Sequence, residues 1–216
     1  MKAIDPIALA FALGIFALLP LLLVTMTAFL KIAIVLALVR NALGVQQAPP
    51  NLAIYALAML LAMYVMAPVG YRIAEVVSVE QEATLSVKTL IAVARKAADP
   101  VRNFLVANSK SDQREFFHST AKKLWPPELA DEATQQDLLI VTPAFVVSEL
   151  TAAFEIGFLL FLPFVVIDLI ISNILMAMGM MMVSPVTISL PLKLFLFVMI
   201  DGWSRLIHGL VQTYTI

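Results

Sequence analysis

Two apolar runs constrain this chain before anything else does. Residues 7–39 form a run of 33 interrupted by one charge, Lys31, and residues 52–69 form a run of 18 with no charge at all. At ~1.5 Å rise per helical residue these correspond to ~50 Å and ~27 Å, against a hydrocarbon core of ~30 Å. The second run is long enough to cross a bilayer. The first is too long, so it must break, tilt strongly or leave the membrane, and Pro20 and Lys31 are the expected places for that. Asp5-Pro6 supplies an N-cap and a first-position proline for it. Lys2 followed by apolar sequence has the look of a signal peptide, but the run continues past any plausible cleavage site and is read as retained.

Composition agrees with a membrane setting. Hydrophobic residues make up 62% and charged residues 13% of the 216, where soluble domains carry about 25% charge. A net charge of −1 gives no field to gather nucleic acid. With no cysteine, disulfides, iron–sulfur clusters and thiol catalysis are excluded, while the compartment stays open. His118 and His208 stand 90 positions apart, outside any H-E-x-x-H pattern, and read as structural. Neither a G-x-S-x-G nor a Walker A sequence occurs. No catalytic residue, metal site or cofactor is expected.

Punctuation along the chain gives three segments, 1–70, 71–142 and 143–216. In the first, Gly44 ends a helix and Pro49-Pro50-Asn51 turns the chain and caps the next, which Pro68 and Gly70 close. In the second, the stretch from Arg72 to Asp137 holds 19 of the 29 charged side chains, nine basic and ten acidic, and must face water. Asp99-Pro100 and Asp112 with Glu115 resemble helix starts and Trp125-Pro126-Pro127 a stop, so two to four short helices are expected there. In the third, Thr142-Pro143 reads as a cap-and-start pair. Ser148, Thr151 and Glu155 then fall within about 60° on a helical wheel, a narrow polar stripe that either lines water, meets another subunit or bonds a neighbouring helix. Near the end, Asp201, Arg205, His208 and Gln212 step by four, three and four, which predicts an amphipathic helix with an Asp201–Arg205 pair.

The most unusual chemistry lies between Pro163 and Pro191. Met176, Met178, Met180, Met181 and Met182 fall within seven residues, and three consecutive side chains at about 100° per residue cannot share one helix face. Gly179 before and Ser184-Pro185 after are backbone breakers, so the methionines are expected where a helix ends and the chain turns back. Unbranched thioethers fill irregular gaps and repack easily, the property of a deformable seal; methionine standing in for leucine in a membrane helix is the plainer alternative. Upstream, Asp168 interrupts the apolar run with Ser172 and Gly179 on its face. An ionisable group there needs water or a protein partner, which makes it either a functional residue or a buried hydrogen-bonding link to another helix.

These residues resemble the export-gate membrane protein of bacterial type III secretion systems, the SctR/FliP family. The resemblance rests on Arg40-Asn41-Ala42-Leu43-Gly44 with Gln47 and Pro49-Pro50-Asn51; on Pro143-Ala144-Phe145, Ser148-Glu149-Leu150, Phe154 and Ile156-Gly157; on Pro163-Phe164 and Asp168; on Met178 to Met182 with Pro185; and on Asp201-Gly202-Trp203. It covers nearly the whole chain, and the absence of an extra N-terminal signal segment favours the injectisome SctR branch. The resemblance implies an all-α, non-enzymatic protein of membrane-associated hairpins with an inserted charged domain. It further implies about five copies assembled with SctS and SctT subunits into a helical pseudo-hexameric channel for unfolded proteins. Further export-apparatus subunits and membrane lipid complete the implied partners, and nucleic acid is not among them. Met180, Met181 and Met182 become the pore gasket, with Met176, Met178 and Gly179 beside it. Ser148, Glu149, Glu155, Asp168, Asn173, Lys193 and Asp201 become pore-facing or interhelical polar residues. The location implied is the bacterial inner membrane with the charged domain periplasmic, although nine of the 14 Lys and Arg residues lie in that domain and simple charge counting would put it in the cytoplasm. The alternative function is an ion- or proton-coupled transporter subunit using Glu155 and Asp168 as carriers.

Overall fold

The computed structural model describes residues 14, 17–18, 20–45, 48–79 and 87–215. Every regular element among them is a helix: α1 (Phe29–Ala42), α2 (Asn51–Val79), α3 (Val87–Asn108), α4 (Ser111–Leu124), α5 (Pro127–Glu132), α6 (Leu138–Ala177), α7 (Pro185–Met199) and α8 (Gly202–Gln212). Asp5-Pro6 and Gln47 lie outside the described residues. Among the described residues two helices are long and apolar enough to cross a membrane, Asn51–Ser78 and Leu138–Ala177, and α7 with α8 forms a third candidate bent by 62°.

Prolines do less damage here than the sequence suggests. Pro68 lies inside α2, which continues through Gly70 to Val79. Pro100 lies inside α3, so Asp99-Pro100 is no helix start. Pro143 lies inside α6, which begins earlier, at Leu138. There the carbonyl of Asp137 accepts from the amides of Ile140 and Val141 at 2.8 Å each. A proline removes one amide and crowds one carbonyl; in helices of 29, 22 and 40 residues the packed turns on either side hold the remaining bonds. The long N-terminal run does break, but at Met26–Ala28 and not at Pro20 or Lys31. Thr25 and Thr27 hydroxyls bond back to the carbonyls of Leu21 and Leu23, a local competition that bends helices. Lys31 sits inside α1, 4% exposed, with its ammonium 3.7 Å from the centre of the Tyr214 ring.

The described residues fall into two compact units. One comprises Met1–Leu30, Ala62–Glu149 and Thr215–Ile216. Its core gathers Val65 and Val69 of α2, Phe104 and Leu105 of α3 and Val141, Ala144 and Phe145 of α6, with the Phe104 and Phe145 rings 5.8 Å apart. Its charged stretch forms three helices, with Trp125 capping the end of α4 and Pro127 opening α5. Arg114 ties the α3–α4 junction by donating to Val106 O and Ser109 Oγ at 2.9 Å each and to Ser109 O. Ser148 secures the same junction from α6: its hydroxyl donates to Ala144 O at 2.7 Å and accepts from the Lys110 amide at 2.9 Å.

The other unit comprises Lys31–Leu61 and Leu150–Tyr214. Ile32, Val35, Leu36 and Val39 of α1 are buried at helical spacing and form its centre. Gly157 lets α6 approach α1 closely, because a Cβ at that position would lie 2.3 Å from Leu38 Cδ1. Gly44, at φ +79°, ends the turn after α1. Asn51 begins α2, and its side-chain oxygen accepts from Arg40 Nη1 at 2.6 Å. The amphipathic helix expected at the C-terminus is α8, which buries Leu206 and Leu210. The Asp201–Arg205 ion pair expected with it does not form among the described residues. Asp201 adopts left-handed backbone angles of 57° and 42° outside the helix, so the four-residue spacing that aligns side chains on a helix does not apply.

Candidate functional site: the methionine hairpin

Helix α6 ends at Ala177, and the chain reverses through the seven residues 178–184 before Pro185 opens α7. The reversal is specified locally. Gly179 takes φ +75°, a left-handed conformation that costs a residue with a Cβ about 1–2 kcal/mol. With that angle in place, the Met180 amide reaches back to Leu175 O at 2.9 Å and the Gly179 amide to Met176 O at 3.0 Å. These bonds satisfy carbonyls that the helix end would leave bare. Proline at the first position of α7 loses nothing by lacking an amide.

The methionines are displayed, not packed. Exposure is 42% at Met180, 85% at Met181 and 101% at Met182, and Met176 and Met178 are also exposed. Only Leu175 in this last turn is turned inward.

One charged cluster holds the hairpin together below its tip. Asp168 of α6 accepts from Ser189 Oγ through Oδ1 at 2.5 Å and from Lys193 Nζ through Oδ2 at 2.6 Å. Ser189 is fully buried and Lys193 is 3% exposed. The same ammonium lies 3.4 Å from the carbonyl of Ala42, the last residue of α1, where a helix carries partial negative charge. A buried charge is tolerable when paired and hydrogen-bonded, and this one is both. Both Asp168 oxygens are engaged, one by Ser189 and one by Lys193.

The remaining polar candidates separate. Ser148 and Glu149 are buried, at 3% and 2% exposure. Thr151, Glu155, Asn173 and Asp201 are exposed. The stripe anticipated from the helical wheel is therefore split, with Ser148 inward and Glu155 outward. Ser189 was not singled out from sequence, and neither was the pairing of Lys193 with Asp168. A signal for the pair exists: Asp168 stands 12 residues before Met180 and Lys193 stands 11 after Met182, so folding the chain at the methionines sets them opposite each other.

The FliP family model matches residues 12–210. The "Yop proteins translocation protein R" of Yersinia pestis is 51% identical over 210 residues, 97% of each chain. The "Virulence protein YscR" of Salmonella typhimurium is 45% identical over 211 residues, 98% of each chain. The "Harpin secretion protein HrcR" of Erwinia amylovora is 44% identical over 210 residues, again 97% of each. With the match running almost end to end and through both arms of the hairpin, the chain belongs to the FliP family of type III secretion membrane proteins, on its injectisome (SctR) branch.

Proposed function

We infer that this chain is a core subunit of a type III secretion export gate and that its copies build the channel through which unfolded proteins leave the cell. The observation that carries the reading is the methionine loop, which its own chain leaves largely uncovered at the end of a hairpin clamped by a buried ion pair. Clustered apolar side chains on show call for a partner surface. About five copies, arranged with SctS and SctT subunits by heterologous contacts, bring their loops to a common axis. There Met180, Met181 and Met182 pack as a gasket, with Met176, Met178 and Gly179 forming its support. Thioethers suit this task because they close irregular gaps and repack without breaking a hydrogen bond.

Among the polar residues, Asp168 and Lys193 clamp the hairpin, Ser148 and Glu149 lie inside their own unit, and Glu155, Asn173 and Asp201 face the pore or a neighbouring copy. The assembly belongs in the bacterial inner membrane, with the charged segment 71–142 on the periplasmic side. That segment is longer than the loops of ~60 residues for which positive charge dictates sidedness, so it can cross as a domain.

The test is the triple substitution of Met180, Met181 and Met182 by alanine in cells that express the whole apparatus. Complexes should assemble with unchanged mass by native mass spectrometry, and the cells should leak small ions. Normal assembly with unchanged conductance would take these residues out of the gate.

A further inference from the structure

The chain holds 11 methionines and no cysteine, so thioethers are its only sulfurs and no thiol of its own meets an oxidant first. Five of the 11 lie within the seven residues from Met176 to Met182. Exposure climbs from Met180 through Met181 to Met182, and the last two are the most open methionines among the described residues. Met26, Met59 and Met66 are half-buried. Met63 and Met199 are exposed, but each is a single sulfur on a helix. Only the turn between α6 and α7 sets three sulfurs side by side.

Oxygen transfer changes what such a side chain is. A lone pair of the thioether sulfur attacks one oxygen of hydrogen peroxide, and an S–O bond forms as the O–O bond breaks. The departing hydroxide takes the proton from the transferred oxygen and leaves as water, so sulfur gives up two electrons and peroxide accepts them. The product is a sulfoxide, polar where the thioether was apolar. A thioether suits a seal because it requires no hydrogen bond. A sulfoxide oxygen without a donor is costly, and neighbouring methionines have none to give. The amides of Met178, Gly179, Met180 and Val183 are already engaged within the turn, so water is the readiest donor. A gasket in an aqueous passage has a wet face on either side, and peroxide, close to water in size, meets these sulfurs without crossing packed protein.

We propose that Met181 and Met182 are modification sites at which peroxide oxidises the thioethers to sulfoxides, drawing water into the seal and loosening the closed gate. This rests on the gasket reading and adds a chemical input to it. The probe is hydrogen peroxide, applied to the purified native complex in liposomes of saturated lipid, with peptide mass mapping and ion release followed together. Met181 and Met182 should each gain one oxygen, about 16 Da, before Met26, Met59 and Met66 do. The leak should rise with them by about tenfold or more, the scale of one apolar contact made polar. In the variant carrying Met180→Leu, Met181→Leu and Met182→Leu, peroxide should leave the leak at that variant's own starting value. Oxygen added first at the half-buried methionines overturns the proposal, as do sulfoxides at Met181 and Met182 with an unchanged leak, or an equal response in the leucine variant. If that variant does not assemble, the wild-type relation between leak and added oxygen decides alone. The triple alanine variant separates the two readings: when it leaks and the oxidised wild type does not, the gasket stands and its oxidation falls, and when neither leaks both fall.

Discussion

Replacing Lys193 with methionine tests the clamp of the hairpin most directly. Methionine keeps much of the stem and removes the ammonium, so Asp168 loses its 2.6 Å partner and retains only the Ser189 hydroxyl. Removing one member of a buried pair costs about 3–5 kcal/mol, because the other charge is left without compensation. Here the orphan is Asp168, whose side chain is 33% exposed; water can reach it, and the hydroxyl stays, so about 2–3 kcal/mol is expected. Asp168→Asn should cost a similar amount, with Lys193 buried beside a neutral amide. The double variant leaves no charge stranded and should recover part of the loss, giving a coupling of about 2 kcal/mol in a double-mutant cycle. The assay is denaturant titration of the purified complex in detergent, followed by a fluorescence or circular-dichroism signal. If Lys193→Met costs under about 0.5 kcal/mol, or if the two single effects simply add, the cluster is not the fastening described here.

Three further outcomes follow from the geometry. Gly157→Ala puts a Cβ 3.3 Å from Leu38 Cβ as well as against its movable Cδ1, so it should cost about 1–3 kcal/mol by overpacking and be relieved by Leu38→Ala, which a thermal melt of both variants will show. Pro68→Ala restores an amide in the interior of α2 and should stabilise the helix by roughly 1 kcal/mol or more; a drop in the melting temperature would mean that the proline shapes a packed bend. In the cysteine-free chain, Ser111→Cys should react with a membrane-impermeant maleimide in intact cells if the charged segment is periplasmic, whereas labelling only after lysis would reverse that topology. Ser109 is the poorer site, being 9% exposed and bonded by Arg114.

The large-scale features were legible in the residues because they depend on bulk chemistry. Apolar runs without charge become long helices, and a glycine and a proline on either side of the methionines force the reversal seen at Gly179 and Pro185. Proline punctuation was misleading at Pro68, Pro100 and Pro143, because a single missing amide is a local loss set against the packing of a whole helix. The site was half visible. Asp168 stood out as a charge in an apolar run, but its partners Ser189 and Lys193 lie across a turn, and a pairing over 21 and 25 residues emerges only once the fold point is known. Arg40 reads from sequence as part of a polar connection; that its Nη1 reaches Pro49 O and Asn51 Oδ1 is a fact of three dimensions.

The clamp also divides the hairpin mechanically. Below Asp168 and Lys193 the two arms are fastened to α1 through Ala42 O, and α7 stays beside the turn after α1 as far as Val186, whose Cγ1 would lie 3.9 Å from a Cβ at Gly44. What extends past these supports is the turn between Ala177 and Pro185 that carries the methionines, and a displacement of about 3 Å, close to the width of a thioether, needs only rotations within that turn. Such a turn can yield radially to a passing chain and spring back with the hydrogen bonds of both helices intact. Spin labels at Met182 in neighbouring copies should accordingly report a distance distribution several ångström broad, and a single sharp distance would mean that the turn is stiff.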